Sequence, residues 1–195
     1  MPKFMHRKAL VATVAVMVMT LAGCHEGARD KKAAAESKSV ATGPNLGVEV
    51  THADIAAWDI AIGPDGSNLP PGGAKPVDGK ELYAQRCSYC HGDHGEGNVG
   101  DRLVGGIGTL ASEAPVRSVG SYWPYATTLF DYIRRAMPLN TPQTLTDEQV
   151  YALSAYILAM NGIIKDDEEM NARTLPAVKM PNRDNFFIVY PRSLK

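Results

Sequence analysis

The sequence predicts an all-α domain with extended arms at both ends, and three observations predict it. Three segments combine helix-capping residues with a helical apolar period, near residues 78–86, 127–136 and 146–160. The stretches before and after them are broken by Pro and Gly and show no long period. Between the first two segments lies Cys87-Ser88-Tyr89-Cys90-His91, a Cys-x-x-Cys-His motif. Three helices are too few for a bundle in a chain of 195 residues, so a bound group at the centre of the core explains how the domain is stabilised.

Cys-x-x-Cys-His is the sequence form of c-type haem attachment. Two thiols add across the two vinyl groups of one porphyrin, so Cys87 and Cys90 must sit about one helical turn apart, and His91 then lies under the ring to ligate iron. The expected cofactor is one covalent haem c. A redox Cys-x-x-Cys wants a strand-rich βαβ context that this pattern does not show. A structural zinc site wants four ligands, and His91 and His94 fall too close to the cysteine pair for that spacing.

In chain order, Lys3, Arg7 and Lys8 precede an apolar run of 15 residues from Ala9 to Gly23. That run is short for a membrane span and suits a signal peptide over residues 1–23, a short membrane anchor being the alternative. Its end, Leu21-Ala22-Gly23-Cys24, resembles the lipobox of bacterial lipoproteins. The resemblance implies a lipid on Cys24 and a membrane anchor; a free thiol beside a simple cleavage site is the alternative. The cysteine count suits the lipid, since two of the three thiols go to haem. Loss of the signal leaves 17 basic against 21 acidic residues, a net charge of −4, with no basic run to suggest nucleic acid.

Residues 24–50 are rich in Ala, Lys, Ser, Glu and Gly and read as a flexible tether, reaching roughly 25–30 Å as a coil. Residues 51–75 read as an extended arm packing on the domain: a short extended piece at Trp58–Ile62, then turns at Gly63–Gly66 and Leu69–Gly72. Trp58 reads as packing under the arm, with partner contact as the sharper alternative.

The haem domain is expected over 76–164. Its first helix opens at Asp78, with Glu81 three residues on, and runs through Leu82, Tyr83 and Arg86 into the motif. Gly92, Gly95, Gly97 and Gly100 then turn the chain around the ring edge. Leu103, Val104, Ile107, Leu110, Tyr122 and Trp123 are available to line an apolar pocket. The second helix starts near Thr127–Thr128, with Thr128 and Asp131 as its cap, and stops at Met137-Pro138. Its apolar positions are Leu129, Tyr132, Ile133 and Ala136. The third helix begins at Thr146, with Gln149 completing a capping box, buries Val150, Leu153, Ile157 and Met160, and ends at Gly162. Residues 165–195, with Asp166–Glu169 and three prolines, read as an extended tail.

The second iron ligand decides the function. A Met sulfur closes the coordination sphere and raises the reduction potential, whereas an open position suits chemistry on a small molecule. Met160 lies on the apolar face of the third helix and reads as core; Met170 sits in an acidic segment and reads as exposed. Met137, in the loop between two helices and distant in sequence from His91, is the favoured ligand, with Met180 second. His52 reads as a surface residue, and His94 is too near His91 to reach the opposite face of the ring. Arg134 and Arg135 read as a solvated helix face or as partners of a haem propionate, with Arg102, Tyr122 and Trp123 as further propionate donors.

The motif, the three helices and the Met137-Pro138 loop together resemble class I cytochromes c over residues 76–162. The resemblance implies that the first helix crosses the third, bringing Gly79 and Tyr83 to the Leu153–Ile157 stretch. A narrower resemblance, to the cytochrome subunits of sulfite and sulfur dehydrogenases, rests on longer strings. They are Trp58-Asp59-Ile60, Pro64-Asp65-Gly66, Leu69-Pro70-Pro71-Gly72, Val119 through Thr128, Ile133 through Pro138, Pro142 through Thr146 and Met180 through Asp184. It implies that Cys87, Cys90, His91 and Met137 are the haem residues. It also implies that single electrons arrive from a periplasmic molybdenum subunit and leave to a cytochrome or oxidase. The lipid signal departs from what a soluble periplasmic complex needs. Nothing in the chain resembles a molybdenum-binding domain, so the chain reads as an electron-transfer protein and not itself an enzyme. The alternatives are a general respiratory shuttle, or a haem enzyme or gas sensor with an open sixth position.

Overall fold

The helix that leads into Cys87 starts earlier than its cap signals suggest. The computed structural model describes residues 47–187, of which Val50 onward belongs to one compact unit. The expected signal peptide, Cys24 and nearly all of the expected tether lie outside the described residues. In chain order the elements are α1 (His52–Ala56), β1 (Gly73–Ala74), α2 (Pro76–Arg86), α3 (Ser88–His91), α4 (Val119–Tyr122), α5 (Ala126–Ala136), α6 (Asp147–Met160), β2 (Met170–Asn171), α7 (Thr174–Ala177) and a 3-10 turn at Arg183–Asn185. Among the described residues, no helix is long and apolar enough to cross a membrane.

The expected start of α2 at Asp78 is therefore corrected to Pro76. A proline's fixed φ and missing N–H suit the first helical position. Asp78 sits within the first turn, where its carboxylate accepts the Lys75 N–H at 2.8 Å. Helix α5 also starts early, at Ala126, and Tyr125 caps it without a side-chain bond. Thr128 and Asp131 are not its cap, because the Asp131 carboxylate is engaged by Ile62 and Arg135. Helix α6 begins as its sequence states: Thr146 Oγ1 accepts the Gln149 N–H at 3.3 Å, and Gln149 Oε1 accepts the Thr146 N–H at 2.9 Å. It ends where the Gly162 and Ile163 amides bond back to the Ala159 and Leu158 carbonyls, at 2.8 and 3.1 Å.

Helix α6 is the centre of the core, with Val150–Ala155, Ile157 and Leu158 all buried. Helices α2 and α5 and the strand pair pack against it. The α2–α6 contact is close enough to require glycine. A Cβ on Gly79 would stand 2.1 Å from the Ala152 carbonyl oxygen and 2.8 Å from Tyr156 Cβ. One turn on, the Tyr83 ring lies 5.4 Å from that of Tyr156. Gly79 and Tyr83 thus meet α6 as the class I resemblance implies, with Ala152, one residue before the expected stretch, taking the closest approach.

The arms differ from simple extended chain. Residues 52–56 form α1, capped by Thr51 and Asp54, with no buried residue. Trp58 is 84% exposed, which overturns its assignment as packing under the arm. The seat of the arm lies further on: Ile62 is buried, and the Tyr151 hydroxyl donates to the Pro70 carbonyl at 2.8 Å. Two bonded turns follow, with Gly66 N–H on the Gly63 carbonyl and Leu69 N–H on the Gly66 carbonyl. Strand β1 then pairs antiparallel with β2, Gly73 opposite Asn171 and Ala74 opposite Met170. That two-stranded pair, α7 and the 3-10 turn interrupt what was expected to be all-α with extended arms.

Nor is the tail a surface wrap alone. Met170, Leu175, Val178 and Met180 are buried in the core cluster, which corrects the exposed placement of Met170. The four preceding acidic residues are exposed, and the register of β2 turns Met170 inward. Asn182 Nδ2 donates to the Tyr122 carbonyl at 2.8 Å, and the Arg183 guanidinium lies over the Tyr125 ring at 4.3 Å.

Candidate haem-binding site

Cys87 closes α2 and opens α3, so the motif is a single extra turn of helix. The Cys90 and His91 amides bond the Cys87 carbonyl at 3.1 and 2.9 Å, which puts the two thiols one turn apart. Both are free and half-buried. Burial, with Cys90 adding and Arg86 opposing, pushes the Cys87 thiol up to about 11.

His91 Nδ1 lies 2.7 Å from the Asp101 carbonyl oxygen. A carbonyl only accepts, so Nδ1 carries the hydrogen and Nε2 is the nitrogen left with a lone pair. This is the tautomer a metal-ligating imidazole needs, held by the backbone contact such ligands use. The loop that brings Asp101 to the ring is itself pinned. The Gly97 N–H bonds the His91 carbonyl and the Gly100 N–H bonds the Cys90 carbonyl, each at 2.7 Å. Gly100 presses on the imidazole, where an added Cβ would stand 3.0 Å from His91 Cε1 and 3.1 Å from Nδ1. The Tyr83 hydroxyl donates to the Gly92 carbonyl at 2.9 Å and joins this loop to α2.

Further along, Asn161 at the end of α6 donates to the Leu103 carbonyl and accepts the Gly105 N–H, both at 3.1 Å. Leu103, Val104 and Leu110 are half-buried, Ile107 and Tyr122 are exposed, and Trp123 is half-buried with its ring 5.6 Å from Tyr132.

Met137 is the first residue beyond α5, extended at φ −120° and ψ 146°, its N–H on the Ile133 carbonyl at 3.1 Å. It is half-buried, as are Cys87, Leu103, Trp123 and Met160, all packed against the core cluster. Of the other candidate ligands, Met180 is 1% exposed, and His52 and His94 are exposed. Arg134 pairs with Asp147 at 3.2 Å and is half-buried, while Arg135 pairs with Asp131 and stays exposed. Thr127 Oγ1, in the first turn of α5, is a buried hydroxyl with no partner among the described residues.

These residues fit a c-type haem. Two thiols stand one turn apart, an imidazole offers Nε2 with Nδ1 already committed, and half-buried apolar side chains flank them. Cys87, Cys90 and His91 are brought together on one turn, while Met137 comes from a separate segment. Sequence reasoning missed Asp101 and Asn161. Asp101 acts through its carbonyl, which has no side-chain signature. Asn161 before a helix-ending Gly162 reads only as a cap.

A family model described as cytochrome C oxidase, cbb3-type, subunit III matches residues 74–157. The chain is similar to a chain in the crystal structure of the sulfane dehydrogenase SoxCD from Paracoccus pantotrophus. The likeness covers 77% of this chain and 73% of that one, at 39% identity and a TM-score of 0.69. Thiosulfate dehydrogenases of Stutzerimonas stutzeri and Psychrobacter arcticus are 30% and 26% identical over 93 and 92 residues, 45% and 47% of this chain. The match spans 28% of the length of each of those relatives.

Proposed function

The chain belongs to the cytochrome c family, and on that premise we propose that it is a monohaem electron carrier of sulfur oxidation. The observation that carries the reading is the His91 Nδ1–Asp101 carbonyl contact inside the Cys-x-x-Cys-His turn. It keeps the hydrogen on Nδ1 and leaves Nε2 as the nitrogen available to iron. The cytochrome c domain implies covalent haem c, which when bound supplies one-electron oxidation and reduction at iron. Cys87 and Cys90 would hold the porphyrin by thioethers, and His91 and Met137 would ligate its iron. Met137 is supported by its place at the end of α5 and its half-buried side chain, against exposed His52 and His94 and a Met180 sealed in the core. With His91 and Met137 both committed to the iron, no position would be left for a substrate, and the chemistry supplied would be one electron in and one electron out.

The similarity to a sulfane dehydrogenase chain and to thiosulfate dehydrogenases supports a place in sulfur-oxidation electron transfer. The donor in this reading is a periplasmic molybdenum subunit, and the acceptor is a cytochrome or oxidase. Residues 76–164 form the haem domain, 51–75 and 165–195 its arms, 1–23 the signal and 24–50 the tether. Cys24 carries the lipid that holds the domain on the periplasmic side of a membrane.

The test is the optical spectrum of the oxidised mature protein, followed by carbon monoxide challenge of the reduced form. A sulfur-to-iron charge-transfer band with no carbon monoxide binding is expected. Met137→Ala removes the band, lowers the midpoint potential and leaves the haem covalently attached. Ready carbon monoxide binding by the native ferrous protein overturns the carrier reading in favour of an open-site haem enzyme or sensor.

A further inference from the structure

Helix α5 delivers Met137, and just before doing so it is tied to the N-terminal arm. Asp131 is 8% exposed and accepts the Ile62 N–H at 3.0 Å, across 69 positions of sequence. Arg134 Nη1 donates to the Ile60 carbonyl at 3.5 Å, across 74 positions, and its Nε pairs with Asp147, the first residue of α6. Three segments distant in sequence therefore meet on the last two turns of α5: the arm at 60–62, the helix at 131–135, and the start of α6 at 147. Ile62 is 9% exposed, so the arm is seated here and does not merely pass by.

A buried carboxylate is costly unless its oxygens are satisfied. Asp131 uses one oxygen for Arg135 and the other for the backbone of the arm. A side chain serving only the helix surface would not need that second partner. Between Ala136 and Thr141 the bonds are local main-chain ones, Met137 N–H on the Ile133 carbonyl and Thr141 N–H on the Pro138 carbonyl. Wherever the end of α5 stands, Met137 follows. A thioether is a weak iron ligand whose hold depends on the protein keeping the sulfur in place.

We propose that Asp131 and Arg134, with the Ile60–Ile62 backbone, form a positioning latch that sets how firmly Met137 holds the iron. The arm then tunes the redox site from outside the haem domain. This inference rests on Met137 being the sixth ligand.

The experiment uses the full-length, haem-loaded protein and four variants, Asp131→Ala, Asp131→Asn, Arg134→Ala and Arg135→Ala. Three readouts are taken: the sulfur-to-iron band, the midpoint potential and carbon monoxide binding by the ferrous form. Asp131→Ala and Arg134→Ala are expected to weaken the band, lower the potential and let the ferrous form bind carbon monoxide. Asp131→Asn keeps an oxygen for the Ile62 N–H and restores all three readouts. Arg135→Ala strips one partner from Asp131 and lowers stability, but it leaves both contacts with the arm in place and keeps the three readouts at the native level. If Asp131→Ala does not fold, Arg134→Ala decides. Native readouts in folded Arg134→Ala or Asp131→Ala overturn the latch, as does an Asp131→Asn protein that behaves like the alanine variant. Absence of the band from the native protein overturns the Met137 reading itself, before any variant is compared.

Discussion

The His91 turn and the Met137 loop are built by different means. Around His91 the polar contacts are local: the Tyr83 hydroxyl reaches Gly92 nine residues on, and the imidazole reaches Asp101 ten residues on. On the end of α5 that carries Met137 the side-chain contacts are distant, reaching from Asp131 and Arg134 back 69 and 74 residues to Ile62 and Ile60. Local contacts form with little loop-closure cost, and distant ones require the rest of the fold. The turn that receives the haem can therefore take shape before the domain is assembled. The segment carrying Met137, the proposed second ligand, is placed only when the arm, α5 and α6 are all docked. Covalent attachment and ligation by Met137 would thus be separable properties of the proposed site.

The largest expected effect tests that separation directly. Gly79→Val would drive a side chain into the Ala152 carbonyl, whose oxygen stands 2.1 Å from where the new Cβ would sit and belongs to a backbone that cannot yield. It should lower stability by about 3 kcal/mol in denaturant unfolding, because α2 can no longer lie on α6. Haem stain after denaturing electrophoresis should persist, since the Cys87–His91 turn needs only its neighbours. Loss of covalent haem in this variant would show that attachment depends on the assembled fold.

A smaller effect comes from Gly100→Ala. The new methyl would stand 3.0 Å from His91 Cε1 and 3.2 Å from the Cys90 carbonyl oxygen, so the imidazole must give by a few tenths of an ångström. A cost of about 1 kcal/mol is expected. The paramagnetic resonance of the oxidised iron should shift while the sulfur-to-iron band stays, because the strain sits on the locally built side. If the band falls as well, the two sides are mechanically coupled through the ring.

The same local-against-distant division governs what was legible in the residues. The one-turn spacing of Cys87 and Cys90 and the Thr146–Gln149 capping box are written within a few positions, and the structure has both. The approach of Gly79 to α6 was reachable only through the resemblance to class I cytochromes c, since no local pattern states which helix a glycine faces. Thr128 and Asp131 have capping spacing, but the Ile62 amide and Arg135 claim Asp131 and the cap does not form. Met170 follows four exposed acidic residues and reads as exposed, yet strand pairing with Ala74 turns it inward. Trp58 shows the converse: a large apolar residue in an arm reads as packing, and the arm is seated four residues later at Ile62.

The smallest effect concerns how the arm is held away from the Arg134–Asp131 contacts. The Tyr151 hydroxyl donates to the Pro70 carbonyl, and burial, with Asp147 adding and Arg134 opposing, raises its ionisation from 10.0 to about 12. Tyr83 is raised as well, chiefly by burial. Between pH 10 and about 12 the folded chain therefore keeps protons that the unfolded chain has released. The unfolded state binds fewer protons there, so stability is intact below pH 10 and falls as pH rises through the window. Tyr151→Phe should cost about 1 kcal/mol near neutral pH through the lost hydrogen bond. It should also flatten the alkaline decline, because one of the two raised hydroxyls is gone. Denaturant midpoints measured from neutral to strongly alkaline pH check both parts. The sulfur-to-iron band at neutral pH should not change, since Pro70 anchors the arm beyond Ile60 and Ile62. A variant that lost the band would place the control of Met137 in the whole arm rather than in its contact with α5.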